Sequence, residues 1–251
     1  MKSNKEWLKW GRADPLYAVA TWNQRHVNGP NPWTFDEFYQ LGKSDWHDFH
    51  QLWLQFGLSR RHVLEIGCGA GRITKQLVGS FDNVSAFDVS AQQLSIAVKN
   101  VIETNVSFAV TNGLRYEIAS ESVSAVFSCH VFQHFYSRKD GICVFDEIFR
   151  VLEPGGSICV HLPIYNVPQG RVYTFARGIL NAAYFLGKSK SDFSNILDKL
   201  HMRMTWYERE SLLLALETIG FDSIEIRGRK LESNGAWHDI LFARKPFQKL
   251  D

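Results

Sequence analysis

The run Val63-Leu64-Glu65-Ile66 has the composition of a buried strand, and it ends at once on three alternate glycines, Gly67, Gly69 and Gly71. Ile73, Gln76 and Leu77 then set up a helical period. A strand that breaks on glycines into a helix leaves the first N–H groups of that helix unpaired and lets a ligand approach the backbone. The stretch therefore reads as a nucleotide-binding loop in an α/β chain. A dinucleotide fingerprint carries its third glycine three residues after the second, but Arg72 stands there, which weakens a pyrophosphate reading. Glu65 sits at the mouth of the strand, where a carboxylate repels a diphosphate and can hold an ammonium group.

Downstream the alternation of strand and helix continues. Val84 to Val89 reads as a second strand ending at Asp88, roughly 20 residues beyond the loop, where a carboxylate can accept from both hydroxyls of a ribose. Val106 to Val110 is a short third strand, and Thr111-Asn112-Gly113-Leu114 is the turn after it. Val123 to Cys129 forms the fourth strand. A helix from Lys139 to Leu152 follows, closed by Glu153-Pro154-Gly155-Gly156, with Ile142, Phe145, Ile148, Phe149 and Leu152 on one face. Ser157 to Leu162 is the fifth strand.

The glycine loop resembles motif I of the class I S-adenosylmethionine-dependent methyltransferases, an acidic residue and one apolar residue before Gly-x-Gly-x-Gly. Asp88-Val89-Ser90 resembles their motif II. The string Phe149 to Gly156 resembles the family turn before the fifth strand and, with Val131-Phe132-Gln133-His134, is similar to a subgroup that methylates small molecules. The resemblance implies S-adenosylmethionine as cofactor. Its methionine part would meet Glu65, Gly67, Cys68 and Gly69 as the chain turns through Arg72, and its ribose would meet Asp88 and Val89. The adenine would be bordered by Asn112, Gly113 and Leu114, with Cys129 at the end of the fourth strand. The implied fold is a Rossmann-like α/β domain, a seven-stranded mixed sheet in the order 3-2-1-4-5-7-6 with helices on both faces.

Residues outside the alternation divide the chain further. Residues 1–57 form an aromatic-rich helical extension, with Thr34-Phe35-Asp36-Glu37 as a capping box, Gly42 as a helix stop and a second apolar stripe from Trp46 to Phe56. The stretch from Asn23 to Pro32 reads as loop that can lie across the mouth of a site, with an amino-terminal helical layer that has no ligand role as the competing reading. Residues 58–251 are the methyltransferase-like domain. Residues 163–204 carry helical spacing at Tyr173 to Leu186 and Phe193 to Leu200, and read as a helical cap inserted after the fifth strand, with dimer contacts as the competing reading. Thr205-Trp206-Tyr207-Glu208 has the form of a capping box, and Phe221 to Ile226 and Trp237 to Ala243 finish the chain as an antiparallel pair.

Composition narrows the partners. At 251 residues and 45% hydrophobic content the chain can bury a full core, and a net charge of +2 from 28 basic and 26 acidic residues leaves no broad footprint for nucleic acid or an anionic membrane. Nucleic-acid methylation also lacks its Asn or Asp-Pro-Pro-aromatic signature after the fourth strand. Cys68, Cys129, Cys143 and Cys159 form no close pair, and with no signal segment or apolar span they read as reduced residues of a cytoplasmic protein, monomer or homodimer.

Methyl transfer from a sulfonium is an in-line displacement that needs alignment and a poorly hydrated site. An acceptor that must lose a proton would find His134, His161 or Tyr165 near the expected site. His130 and His134 are four apart with no acidic residue between them and no third ligand indicated, so no metal site is expected. The favoured function is methyl transfer to a small molecule. An NAD-dependent oxidoreductase and a non-catalytic cofactor-binding or interaction protein of the same fold remain as alternatives.

Overall fold

A computed structural model describes residues 4–22, 24–167, 169–172, 174–176, 178 and 204–247. Three helices open the chain, α1 (Asn4–Ala13), α2 (Pro15–Val19) and α3 (Phe35–Phe56). The alternating part follows as β1 (His62–Ile66), α4 (Thr74–Leu77), β2 (Asn83–Asp88), α5 (Ala91–Asn100), β3 (Val106–Val110) and β4 (Val123–Ser128). It continues through α6 (Arg138–Val151), β5 (Leu152–His161), β6 (Ile164–Tyr165), β7 (Tyr207–Glu208), α7 (Arg209–Ile219), β8 (Asp222–Lys230) and β9 (Trp237–Arg244).

One seven-stranded sheet runs in the order β3-β2-β1-β4-β5-β9-β8, and β6 and β7 pair by themselves. With those two short strands set aside the order is 3-2-1-4-5-7-6, as the resemblance implied; the interposed pair is the difference in detail. Strands β1 to β5 are parallel, and β9 is antiparallel to both β5 and β8. Ile66 is level with Phe87 and Ser128, and Ser128 with Val160, so the carboxyl ends of the central strands share one edge. The strand order reverses between β1 and β4, and a crevice outside that edge is where open α/β sheets bind ligands.

Period-two alternation sends side chains to two cores. Leu64, Ile66, Val126, Ile158 and Val160 join Phe145 and Ile148 of α6 and Leu212 and Leu216 of α7 on one face. Val63, Ala86, Phe127, Cys159 and Phe242 join Trp46, Phe49 and Trp53 of α3 and Leu94 of α5 on the other. Burying apolar faces on both sides of the sheet is the dominant favourable term in such a fold.

Three boundary expectations are corrected. Gly42 does not stop a helix: α3 runs unbroken for 22 residues, from the Thr34–Glu37 capping box to Gly57 in the left-handed region at φ 103°. The absence of a side chain at Gly42 serves a close approach, since a Cβ there would lie 2.2 Å from the carbonyl oxygen of Arg72. Glu153 to Gly156 is no free turn, because Gly155 N–H donates to Lys245 O and Lys245 N–H to Gly156 O, extending β5 back to Leu152. The box expected at Thr205 is replaced by a cap at Glu208, whose carboxylate accepts from Glu210 and Ser211 N–H groups, while the Thr205 hydroxyl is committed to Phe135 O at 2.8 Å. Of the expected cap at 163–204, most of Tyr173 to Leu186 and all of Phe193 to Leu200 lie outside the described residues. Among the described residues no helix is long and apolar enough to cross a membrane.

The Gly42 contact gives a stability test. Gly42→Ala forces the Arg72 loop to shift and is expected to destabilise by about 1–3 kcal/mol in urea unfolding. Gly79→Ala, whose added carbon meets nothing nearer than 3.7 Å, should change stability little.

Candidate functional site

The carboxyl edge of the sheet opens into a cavity of about 990 Å³. That is the upper end of the range for small-molecule sites, roughly 300–1,000 Å³. One side is the glycine loop with Gly67, Gly69 and Arg72, the end of β2 with Asp88 and Val89, and the turn after β3 with Thr111 and Gly113. The turn after β4, from Cys129 to Phe135, forms another side. The amino-terminal segment closes over it with Asn4, Trp7 and Val19 to Trp22, and Asp45 of α3 with Ser233, Asn234 and Ala236 of the β8–β9 turn completes the wall.

The glycine loop has φ of 73°, 55° and 81° at Gly67, Gly69 and Gly71, a left-handed course that L side chains rarely adopt. At Gly69 the space is also taken, because a Cβ would come 2.7 Å from a Val19 methyl. Gly69 N–H donates to one Asp88 carboxylate oxygen at 2.9 Å and Ser90 N–H to the other at 2.8 Å. Burial raises the Asp88 pKa against the pull of those N–H groups. Each oxygen of a carboxylate has a second lone pair, so Asp88 retains acceptor capacity on the cavity wall.

Several expected contacts are placed differently. Glu65 is buried under the loop and accepts from the Thr74 hydroxyl at 2.6 Å instead of lining the cavity. Desolvation pushes its pKa up to about 7. Cys68 is buried and also off the wall. The Asn112 amide oxygen accepts from Leu114 and Arg115 N–H groups at 2.8 and 3.0 Å, an Asx turn that commits it locally. Leu114 packs on the core. Thr111 and Gly113 supply the wall at that point. Arg72, 4% exposed, donates to Asp45 of α3, and its Nε has no partner among the described residues. Cys129 lines the cavity, but burial pushes its thiol up to about 12, so a thiolate nucleophile is not supplied near neutrality.

The three candidate proton acceptors are not brought together. His134 is on the wall, its ring 4.6 Å from that of Trp7 and its Nε2 3.0 Å from Nε2 of Gln133. His161 lies one layer behind, its Nδ1 accepting from His130 N–H at 3.3 Å, and burial holds it well below the usual imidazole range. Tyr165 is in β6 against Trp206, ring centroids 6.3 Å apart, and does not line the cavity. Asp45 and the β8–β9 turn were missed in the sequence, although two aspartates three apart, Asp45 and Asp48, on an otherwise aromatic stripe were a usable signal.

Comparison with known proteins adds a context. A family model described as a methyltransferase domain matches residues 63–156. Phosphoethanolamine N-methyltransferase 2 of Caenorhabditis elegans is 29% identical over 142 residues, 55% of this chain and 31% of that protein. Ubiquinone biosynthesis O-methyltransferase of Psychrobacter arcticus is 29% identical over 146 residues, 55% of this chain and 52% of that protein. The chain thus spans a third to a half of these curated relatives. Among solved structures, magnesium protoporphyrin IX methyltransferase from Synechocystis with bound SAH aligns with a TM-score of 0.64 over 97% of this chain and 99% of that one, at 14% identity, a likeness of fold.

The Glu65 environment predicts a pH dependence. With the folded pKa at about 7 and the reference value at 4.5, the folded chain binds the proton more tightly than the unfolded chain. This contribution is present in full below pH 4.5 and is lost as pH rises toward 7, a decline of up to about 3 kcal/mol. Glu65→Gln keeps an acceptor for Thr74 and should flatten that part of the stability profile in urea unfolding at a series of pH values.

Proposed function

We propose, from the premise that the chain belongs to the class I S-adenosylmethionine-dependent methyltransferase family, that it transfers a methyl group from S-adenosylmethionine to a small-molecule acceptor held in the same cavity. The observation that carries the reading is a single cavity bounded on one side by the glycine loop and Asp88 and on the other by the turn from Cys129 to Phe135. Its residues suit the cofactor. Gly67 and Gly69 offer backbone without a side chain, and Asp88 keeps spare lone pairs at the end of β2.

When bound, the cofactor supplies an electrophilic methyl on a sulfonium. The chain's own residues then have separate tasks. Gly67 and Gly69 would hold the methionine part through their carbonyls, since their N–H groups are committed to Phe87 O and Asp88, and Asp88 would accept from the ribose hydroxyls. Val89, Thr111 and Gly113 would border the base. Glu65 acts from beneath, fixing the loop through Thr74. Trp7, Trp22 and Phe135 give the cavity apolar walls that keep water from the reacting centre. His134 stands where it can take a proton from an acceptor hydroxyl or ammonium, with Trp7 packed against its ring.

Titration calorimetry tests the cofactor directly. S-adenosylmethionine and S-adenosylhomocysteine should bind saturably and NAD should not; the reverse pattern sinks the reading. Asp88→Ala should weaken S-adenosylhomocysteine binding by ~1.5–3 kcal/mol, the range for hydrogen bonds to charged groups.

The role of His134 separates from binding. His134→Ala should hold cofactor affinity within about threefold yet lower turnover on an acceptor that must be deprotonated by roughly 10². His134→Gln keeps hydrogen bonding without a basic nitrogen, so recovery of turnover in that variant would assign His134 to positioning alone.

A further inference from the structure

Three histidines far apart in the sequence meet where the carboxyl ends of β4 and β5 adjoin the amino end of β9. His130 follows β4, His161 closes β5, and His238 is the second residue of β9. One ring nitrogen from each lies within 4.8 Å of the other two. The ring centroids are 4.3, 4.8 and 5.1 Å apart. His130 also lines the cavity.

Following the protons shows what this cluster lacks. His130 N–H donates to Nδ1 of His161, so a neutral His161 carries its proton on Nε2 and donates it to Nδ1 of His238 at 2.9 Å. His238 then carries its own proton on Nε2, and that atom is buried with no partner among the described residues, in a side chain only 9% exposed. The 2.9 Å contact thus holds two ring nitrogens face to face with one proton between them, and that is the place a cation can take. His130 adds a second irregularity. Its φ is 60°, a left-handed backbone that disfavours any residue with a Cβ and that persists where the surroundings impose it. Burial holds all three rings below the usual imidazole range, His130 and His161 well below it. Neutral imidazole is the form that binds a cation.

We propose that His130, His161 and His238 form a binding site for a divalent transition metal of the zinc class, reached from the cavity past His130. Three imidazoles select zinc and its transition-metal neighbours over magnesium or calcium. Three protein ligands with one open position is also the make-up of catalytic zinc sites. Binding needs no proton to leave the cluster. The cation takes the place between His161 Nε2 and His238 Nδ1, the His161 proton moves to Nδ1, and the long 3.3 Å contact from His130 N–H is given up. The open position would take an oxygen, nitrogen or sulfur donor of the acceptor. That last clause rests on the methyl-transfer reading; the binding of metal does not.

The test is titration of the metal-free chain with Co(II), followed by its visible d–d bands, and with Zn(II) in competition with a chromophoric chelator. One ion per chain is expected, with Kd below about 10 μM, weakened about 100-fold or more in His130→Gly and in His238→Gln. His47→Gln, which removes an exposed histidine of α3, should leave it unchanged. His130→Gly suits the left-handed backbone, so its melting temperature should equal or exceed that of the parent, and loss of metal there is not loss of fold. Binding weaker than about 1 mM, or binding that survives both variants, overturns the site. The same samples titrated with S-adenosylhomocysteine keep the two readings apart. Cofactor binding without metal removes only the histidine site, and metal binding without cofactor removes only the methyl-transfer reading.

Discussion

A guanidinium that is only 4% exposed has to be met by a carboxylate just as deeply buried, and the pairing of Arg72 with Asp45 is the contact on which the cavity depends. Arg72 leaves the glycine loop, Asp45 projects from the middle of α3, and Asp45 also accepts from the Ser233 hydroxyl in the β8–β9 turn. One turn along α3, Asp48 repeats the device, taking Arg229 and the Glu232 N–H. Segments up to 188 residues apart are thereby fixed around one space. Removing one member of such a pair strands the other charge in low dielectric, a loss of roughly 3–5 kcal/mol, whereas an exposed pair such as Arg227 with Glu225 contributes little.

This arrangement accounts for what could be read from the chain and what could not. Strands β1 to β4 and the second half of β5 were legible because each carries a short apolar run, and the period of two that sends Leu64 and Ile66 to one face and Val63 to the other is local information. The glycine loop and Asp88 were legible for the same reason. Gly42 was misjudged because glycine stops helices in isolation, while here it makes room for a carbonyl from another element. Asn112 was expected beside the adenine although its amide oxygen is claimed two and three residues on. The meeting of His130, His161 and His238 could not be foreseen from spacing, since it follows from the antiparallel return of β9 beside β5.

The two ends of the cavity differ in character. At the β1–β2 end the wall is backbone and one carboxylate, a surface defined by main-chain geometry and tolerant of few substitutions. At the β4–β9 end it is side chains: thiol and imidazole from the turn after β4, the guanidinium of Arg72 reaching across to Asp45, and the amide of Asn234. Change in the second set can alter what is accommodated without disturbing the first, the usual division in folds that host many activities.

The amino-terminal segment supplies a large share of the cavity's covering, yet it is lightly anchored. Gly11 is the sole buried residue of α1, seated where a Cβ would meet the Ser90 hydroxyl at 2.4 Å, and Trp7 reaches from the same helix to His134. Elements with so little buried surface open at low free energy, independently of the core. The residence time of anything enclosed would then be governed by the release of these ten residues.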